Sequence, residues 1–351
     1  MYYTYLYLRK LLYMLPYKVI ACFCLLLCFC FVKGQGSSGR ETVQLGRVKL
    51  TVELDGAGTP VYGVSFGDKP LVLSSRLGFV LNEDSTFYKG FSWKGVERKS
   101  VDASWQPVWG EVKEIRNHYE ELTVHLEKGG TPVRRLDIVF RVFEDGVGFR
   151  YVFPKQPDLK YFVVTDELTQ FSLAGDARTW WIPGDYDTNE YPYTTSNLSQ
   201  IDNTALVAAS TDIAVRVAPD PQSVQTPLMM KTGDGLYLNI HEAALIDYPA
   251  MQLHVDRSKV VLSAELVPDA VGNKAYLHAP FATPWRTVIV SDKATEILAS
   301  KMILNLNEPS KLANTDWIRP MKFAGVWWEM QTGKSTWSYS DYADSVSCVY
   351  L

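Results

Sequence analysis

At 351 residues the chain has room for two domains, or for one large β domain and part of another. Lysine and arginine (35) nearly balance aspartate and glutamate (39), and aromatic residues make up 13% of the chain, so neither disorder nor a nucleic-acid partner is favoured.

Residues 1–34 are a separate object. Arg9, Lys10 and Lys18 precede an apolar run over residues 19–32, and Lys33-Gly34-Gln35-Gly36 supplies small residues suited to cleavage, the pattern of a secretory leader. The run is short against the roughly 20 residues of a bilayer span, which makes a retained anchor the weaker reading. Met14 is an alternative start, and no Leu-(Ala/Ser)-(Gly/Ala)-Cys lipoprotein pattern occurs. Cys22, Cys24, Cys28 and Cys30 lie in this leader and only Cys348 lies beyond it, so the mature body has no disulfide to make. Removing four cations and no acid takes the formal charge from −4 to about −8, the balance of an acidic protein with a neutral substrate. The expectation is an exported protein of a Gram-negative periplasm or outer envelope, without a stable membrane span and monomeric.

From residue 43 to about residue 290 the pattern is alternation. Val48, Leu50, Val52 and Leu54 alternate with polar residues, as do Leu122, Val124 and Leu126, then Leu136, Ile138, Phe140 and Val142, then Phe149, Tyr151 and Phe153. Lys128-Gly129-Gly130 and Glu144-Asp145-Gly146 join the last three runs, which predicts an antiparallel meander. Further strands are predicted over residues 206–209, 213–217, 236–240, 251–255, 260–266 and 287–290. Many short strands without a helical period argue for large packed antiparallel sheets, and the lack of a fixed repeat counts against a propeller.

Within this region residues 179–196 crowd aromatic, carboxylate and turn residues with almost no aliphatic spacing. Sugar C–H faces stack on aromatic rings while hydroxyls bond to carboxylates, so the stretch suits a sugar site. It suits equally a surface loop whose rings pack on the domain beneath. Asp185 and Asp187 have the chemistry to assist but read as surface carboxylates, and Trp180 and Trp181 as anchors of the loop. His241-Glu242 follows directly on a strand and reads as structural. No histidine spacing suits zinc, and neither a phosphate loop nor a Gly-x-Ser-x-Gly elbow occurs.

At Ser291 the character changes. Ser291-Asp292 suits a cap for a helix beginning near Lys293, with Ile297, Leu298, Met302 and Ile303 on one side. A linker follows, then an apolar run of strand length over residues 323–328, then a loop. A strand opening a new domain cannot bury its faces alone, so the chain reads as a fragment whose last residues, 346–351, resemble an altered tail.

Several segments together resemble glycoside hydrolase family 97, the exported α-glucosidases and α-galactosidases of glycan-utilising bacteria. They are Trp180-Trp181-Ile182-Pro183 with Asp187-Thr188-Asn189-Glu190-Tyr191, His241-Glu242-Ala243-Ala244-Leu245-Ile246-Asp247-Tyr248, Thr283-Pro284-Trp285-Arg286-Thr287-Val288, and Lys322-Phe323-Ala324-Gly325-Val326-Trp327-Trp328-Glu329-Met330. The resemblance implies a mainly β fold. Residues 35–290 would be an antiparallel β-super-sandwich of the galactose-mutarotase-like kind, residues 291–316 a helical linker, and residues 317–351 the truncated start of a catalytic (β/α)8 barrel. It implies cleavage of terminal α-linked glucose or galactose from oligosaccharides, with calcium. Glu190 occupies the position of a glutamate that reaches from the sandwich to that ion. Trp327, Trp328 and Glu329 would lie at the end of the first barrel strand, where substrate residues gather; adjacent strand residues face opposite ways, so at most one tryptophan would meet the sugar. The catalytic carboxylates are expected beyond residue 351. A non-catalytic carbohydrate-binding or mutarotase-like sandwich is the alternative, and a structural envelope module a third.

Overall fold

The computed structural model describes residues 39–211, 215–322, 327–328 and 332–333. Residues 1–38, 212–214, 323–326, 329–331 and those beyond 333, which include the expected leader and tail and Glu329, lie outside the described residues. The chain divides into two compact units, Met1–Trp105 with Glu114–Glu308, and Gln106–Lys113 with Pro309–Leu351.

In the first unit, strands β1 (Arg40–Leu45), β2 (Val48–Leu54), β3 (Pro60–Phe66) and β4 (Lys69–Arg76) are followed by short β5 (Phe79–Leu81). Then come the long β6 (Phe91–Trp105), β7 (Ile115–Lys128), β8 (Arg134–Phe143) and β9 (Gly146–Phe153). Next are β10 (Tyr161–Glu167), β11 (Gln170–Ser172), β12 (Ala177–Trp181), β13 (Thr194–Asn197) and helix α1 (Thr204–Ala209). After it run β14 (Ser223–Val224), β15 (Leu228–Thr232), β16 (Tyr237–Ala243), β17 (Met251–Asp256) and β18 (Val261–Leu266). The unit closes with β19 (Ala275–His278), β20 (Phe281–Ala282), β21 (Trp285–Ser291) and the short helices α2 (Ala294–Ala299) and α3 (Met302–Asn305).

All pairings are antiparallel. A ten-stranded sheet runs β13-β12-β15-β16-β21-β9-β8-β7-β6, with β20 added to β9. Beside it are the sheets β1-β2-β3-β4, β19-β10-β5 and β11-β18-β17-β14. Side chains alternate across a strand, so each apolar run in the sequence becomes one face. Leu122, Val124, Leu136, Ile138, Phe140, Val147, Phe149 and Tyr151 line the inner face of the large sheet and meet Val48, Leu50, Val52 and Tyr62 of the first sheet in one core. Aromatic rings fill its centre, with Tyr62 and Phe149 centroids 4.9 Å apart and Phe79 and Tyr151 4.5 Å apart. The expected meander of β7, β8 and β9 is present in register, Leu122 opposite Phe140 and Phe140 opposite Phe149.

A second cluster forms on the outer face of the large sheet. Tyr119, Phe143, Ala243, Trp285 and Ile289 are covered there by Met302 and Leu306 from α3 and its end. Gly148 makes this possible: a Cβ on it would lie 2.7 Å from Leu306 Cδ1, so only glycine lets the chain settle onto the sheet.

Four expectations change. Residues 206–209 lie in helix α1, because a four-residue apolar run carries no periodicity that separates strand from helix. Residues 215–217 belong to no strand; Val217 N donates to the Asp185 carboxylate and Val217 O accepts from Tyr186 N, so this backbone bonds to a loop instead of a sheet. The single helix after Ser291 is two short ones broken at Ser300, and Leu298 is exposed although Met302 is buried. In the second unit Trp327 and Trp328 are helical rather than extended, with Thr332 N donating to Trp328 O at 3.0 Å. A helical turn satisfies its own backbone, whereas a strand needs a neighbour, and no described strand pairs with this segment.

Candidate functional site

The aromatic stretch is a hairpin with a long, anchored loop. Strand β12 carries Thr179, Trp180 and Trp181 and pairs with β13, Trp181 opposite Thr194 and Thr179 opposite Ser196. Alternation buries Trp181, whose Nε1 donates to Ser196 Oγ at 2.9 Å, and leaves Trp180 partly exposed. Beyond Gly184 the loop backbone leaves the sheet, and the Asp185 side chain takes up its N–H groups. Its Oδ1 accepts from the N–H groups of Asp187 (2.9 Å) and Thr188 (3.2 Å), and its Oδ2 from Tyr191 Oη (2.8 Å) and Val217 N (2.9 Å). Asp185 is 2% exposed, so it is not the surface carboxylate expected from its loop composition. A buried carboxylate needs such donors, and here two are the loop's own amides, one the Tyr191 hydroxyl and one an amide from a distant segment. Burial and the bond to Asp185 push the Tyr191 phenol up to about 12.

The loop is also tied to the sheet beneath. Gly184 N donates to Ser223 O at 2.8 Å, Gln225 Nε2 to Asp185 O at 2.8 Å, and Gln252 Nε2 to the same carbonyl. Beyond this anchor Glu190 is exposed. Its N–H donates to Thr188 Oγ1 at 3.1 Å, and its carboxylate makes no bond among the described residues.

A second polar constellation lies inside the sandwich. Arg286 of β21 is fully buried and donates from Nε and Nη2 to Glu167 (2.9 and 2.7 Å) and from Nη1 to Glu242 Oε2 (2.5 Å). Glu167 also accepts from Thr169 Oγ1 (2.7 Å) and Tyr248 Oη (2.9 Å), and Glu242 Oε1 accepts from Met251 N (3.1 Å). Burial opposes charge on Glu167, but Arg286 outweighs it and holds the carboxyl below its usual range. Burial prevails at Glu242 and holds it above that range despite Arg286. His241, whose ring is kept neutral by burial and by Arg286, bonds to Thr226 Oγ1 at 3.1 Å. Glu242 and His241 are therefore structural groups. Glu167 and Thr169 escaped sequence reasoning because 119 residues separate Glu167 from Arg286 and Glu167 follows another acid at the end of β10, while Tyr248 and Arg286 stood in two family-like segments without a role.

The expected site residues fall in different units. Glu190 stands on the β12–β13 loop of the first unit. Trp327 and Trp328, in the second unit, are 53% and 71% exposed and pack edge to face at 5.0 Å. Side-by-side helical placement replaces the opposite-facing geometry expected of a strand. Calcium takes six to eight oxygens, and no group of three or more metal-ligating side chains exists among the described residues. The exposed carboxylate of Glu190 has the chemistry of one such ligand.

Comparison with known proteins gives this geometry a family. The family described as Glycosyl-hydrolase 97 N-terminal matches residues 45–309. A retaining alpha-galactosidase of Bacteroides thetaiotaomicron is 24% identical over 86% of this chain and 47% of its own length. A probable retaining alpha-galactosidase of Streptomyces bingchenggensis is 26% identical over 75% of this chain and 37% of its own. A solved glycoside hydrolase family 97 enzyme from Pseudoalteromonas, in complex with acarbose, is 34% identical with a TM-score of 0.72, covering 86% of this chain and 43% of that one. The chain thus spans less than half the length of these relatives. An antiparallel sandwich, the ordered motifs and the match over residues 45–309 agree: the chain belongs to glycoside hydrolase family 97, within its N-terminal region.

Proposed function

We propose that this chain is the sandwich, linker and barrel start of an exported α-glycosidase that releases terminal glucose or galactose from oligosaccharides with the help of calcium. The family match over residues 45–309 carries the reading. The two substrate options follow the relatives, two being named retaining alpha-galactosidases and solved family members having been captured with acarbose and with panose. On this reading residues 1–34 are a leader directing a monomer to the periplasm or outer envelope, residues 35–290 are the sandwich, 291–316 the linker and 317–351 the start of a barrel.

Glycoside hydrolysis needs two carboxyl groups flanking the bond, one to protonate the leaving oxygen and one to attack or to activate water. The sandwich's buried acids are committed elsewhere, Glu167 and Glu242 to Arg286 and Asp185 to its loop, so they are unavailable for this work. The reacting pair is therefore proposed to lie outside the sandwich. Glu190 remains unbonded and exposed on a loop held rigid by Asp185, which suits it to donate one oxygen to calcium completed by other groups. Exposed Trp327 and Trp328, with Glu329, are proposed as substrate contacts.

The test is a replacement. Residues 39–308 of this chain are placed in the Pseudoalteromonas enzyme instead of its own matching region, and release of p-nitrophenol from α-glucoside and α-galactoside is followed. Turnover by the exchanged protein supports the reading. A folded exchange product silent on both substrates removes it, and tight sugar binding by the unexchanged chain would favour the carbohydrate-binding alternative.

A further inference from the structure

The motif Thr283-Pro284-Trp285-Arg286-Thr287 sends Arg286 inward to its carboxylates, and alternation sends Trp285 to the outer face of the large sheet. There the indole, 1% exposed, is in contact with two guanidinium groups. Arg141 Cζ is 4.7 Å and Arg150 Cζ 4.4 Å from the ring centroid, and Arg141 also lies over Tyr119 at 4.5 Å. Tyr119, Arg141, Trp285 and Arg150 thus make a continuous cation–π stack, an arrangement that fixes planar guanidinium groups in orientation.

The two arginines differ in what they bond. Arg141 Nε donates to Glu121 at 2.8 Å, and both side chains are less than one-fifth exposed. Arg150 makes no hydrogen bond and no ion pair among the described residues. Its Nε is buried without a partner, while its Nη groups are neither bonded nor buried. Glu308 lies in its field without reaching it. Two guanidinium charges therefore share one carboxylate, and the surplus sits on Arg150. Burial, and then the like charge of Arg141, depress its proton affinity, so the arrangement is costly while the fork is empty.

We propose that Arg150, packed over the ring of Trp285, is the receiving group of a carboxylate-binding site on the outer face of the ten-stranded sheet. A guanidinium edge matches a planar carboxylate with two parallel N–H···O bonds. One unpaired cation balances one negative charge, which favours a carboxylate over a phosphate dianion, since Arg141 is already neutralised by Glu121. Trp285 is itself buried, so a ligand meets the edge of the fork and gains nothing from sugar stacking on that ring.

The full chain is titrated with sodium acetate and with sodium D-glucuronate, against sodium chloride at equal ionic strength, and Tm is followed. A saturable rise with carboxylate that chloride does not reproduce is expected. Arg150→Gln abolishes it; Arg150→Lys, which keeps the charge and loses the fork, raises the half-saturating concentration about ten-fold; and Lys155→Gln leaves it unchanged. Equal responses to both salts identify a bare carboxylate of the kind an acidic side chain presents, and a response to glucuronate alone identifies an acidic sugar. Carboxylate curves that coincide with chloride overturn the site, as does an undiminished response in Arg150→Gln. Should that variant not fold, an unchanged half-saturation in Arg150→Lys overturns it instead.

Discussion

Arg286 holds two carboxylates inside the sandwich, and the two titrate in opposite senses. Glu167 has its folded pKa below the ordinary value, so its contribution to stability is present at neutral pH and lost as the pH falls through that lowered value. Glu242 has its folded pKa raised, so its contribution is complete at low pH and lost as the pH rises through the raised value. Glu167→Gln is expected to destabilise the chain at pH 7 by about 3–5 kcal/mol, the usual cost of leaving a buried partner unpaired. The same variant should flatten the acid limb of the stability curve. Glu242→Gln should cost less at pH 7, because the neutral amide replaces a group that burial already disfavours as an anion. Urea denaturation of both variants from acid to neutral pH checks the order and the slopes.

The β12–β13 loop depends on one side chain as a sheet depends on a neighbouring strand. Four donors converge on Asp185, and removing it strands Tyr191 Oη in a buried setting and Val217 N in a partly buried one. Asp185→Ala should therefore cost at least about 2 kcal/mol and open residues 186–193 to limited proteolysis, with the sheet intact by circular dichroism. Gly184→Ala probes the same anchor from beneath. Its Cβ would lie 2.5 Å from Ser223 Cβ and 2.8 Å from Gln252 Oε1, and overpacking of this kind costs about 1–3 kcal/mol. A Gly184→Ala protein as stable as the parent would show that the loop is not seated as described.

For the whole molecule, the proposed division of labour gives two expectations. Purified residues 35–351 should show no α-glucosidase or α-galactosidase turnover, because the sandwich's buried acids are already bonded. The same protein should bind calcium weakly or not at all by calorimetry, since Glu190 supplies too few of the six to eight oxygens required. In the exchanged enzyme described above, Glu190→Gln should weaken calcium dependence and turnover together. Unchanged values for both would remove Glu190 from the site.

Sequence alone was enough for the antiparallel core, because alternation with period two assigns each residue to a face before any partner is known. Val48 to Val52, Leu136 to Val142 and Phe149 to Phe153 all lie where their pattern sends them. The four ordered motifs were likewise enough for the family. Tertiary structure decided what local pattern does not encode. Residues 206–209 are too short for a period to show, and Val217 is claimed by the Asp185 side chain rather than by a strand. Asp185 itself looked like any loop acid until four donors, one of them 32 residues away, closed on it. Arg150 and Arg141 are polar positions of two alternating strands in the sequence, and only packing brings Trp285, from a strand more than 130 residues further along, against both. Burial, charge and hydrogen bonding at such sites are set by groups brought together from distant parts of the chain, and only the packed sheets place them.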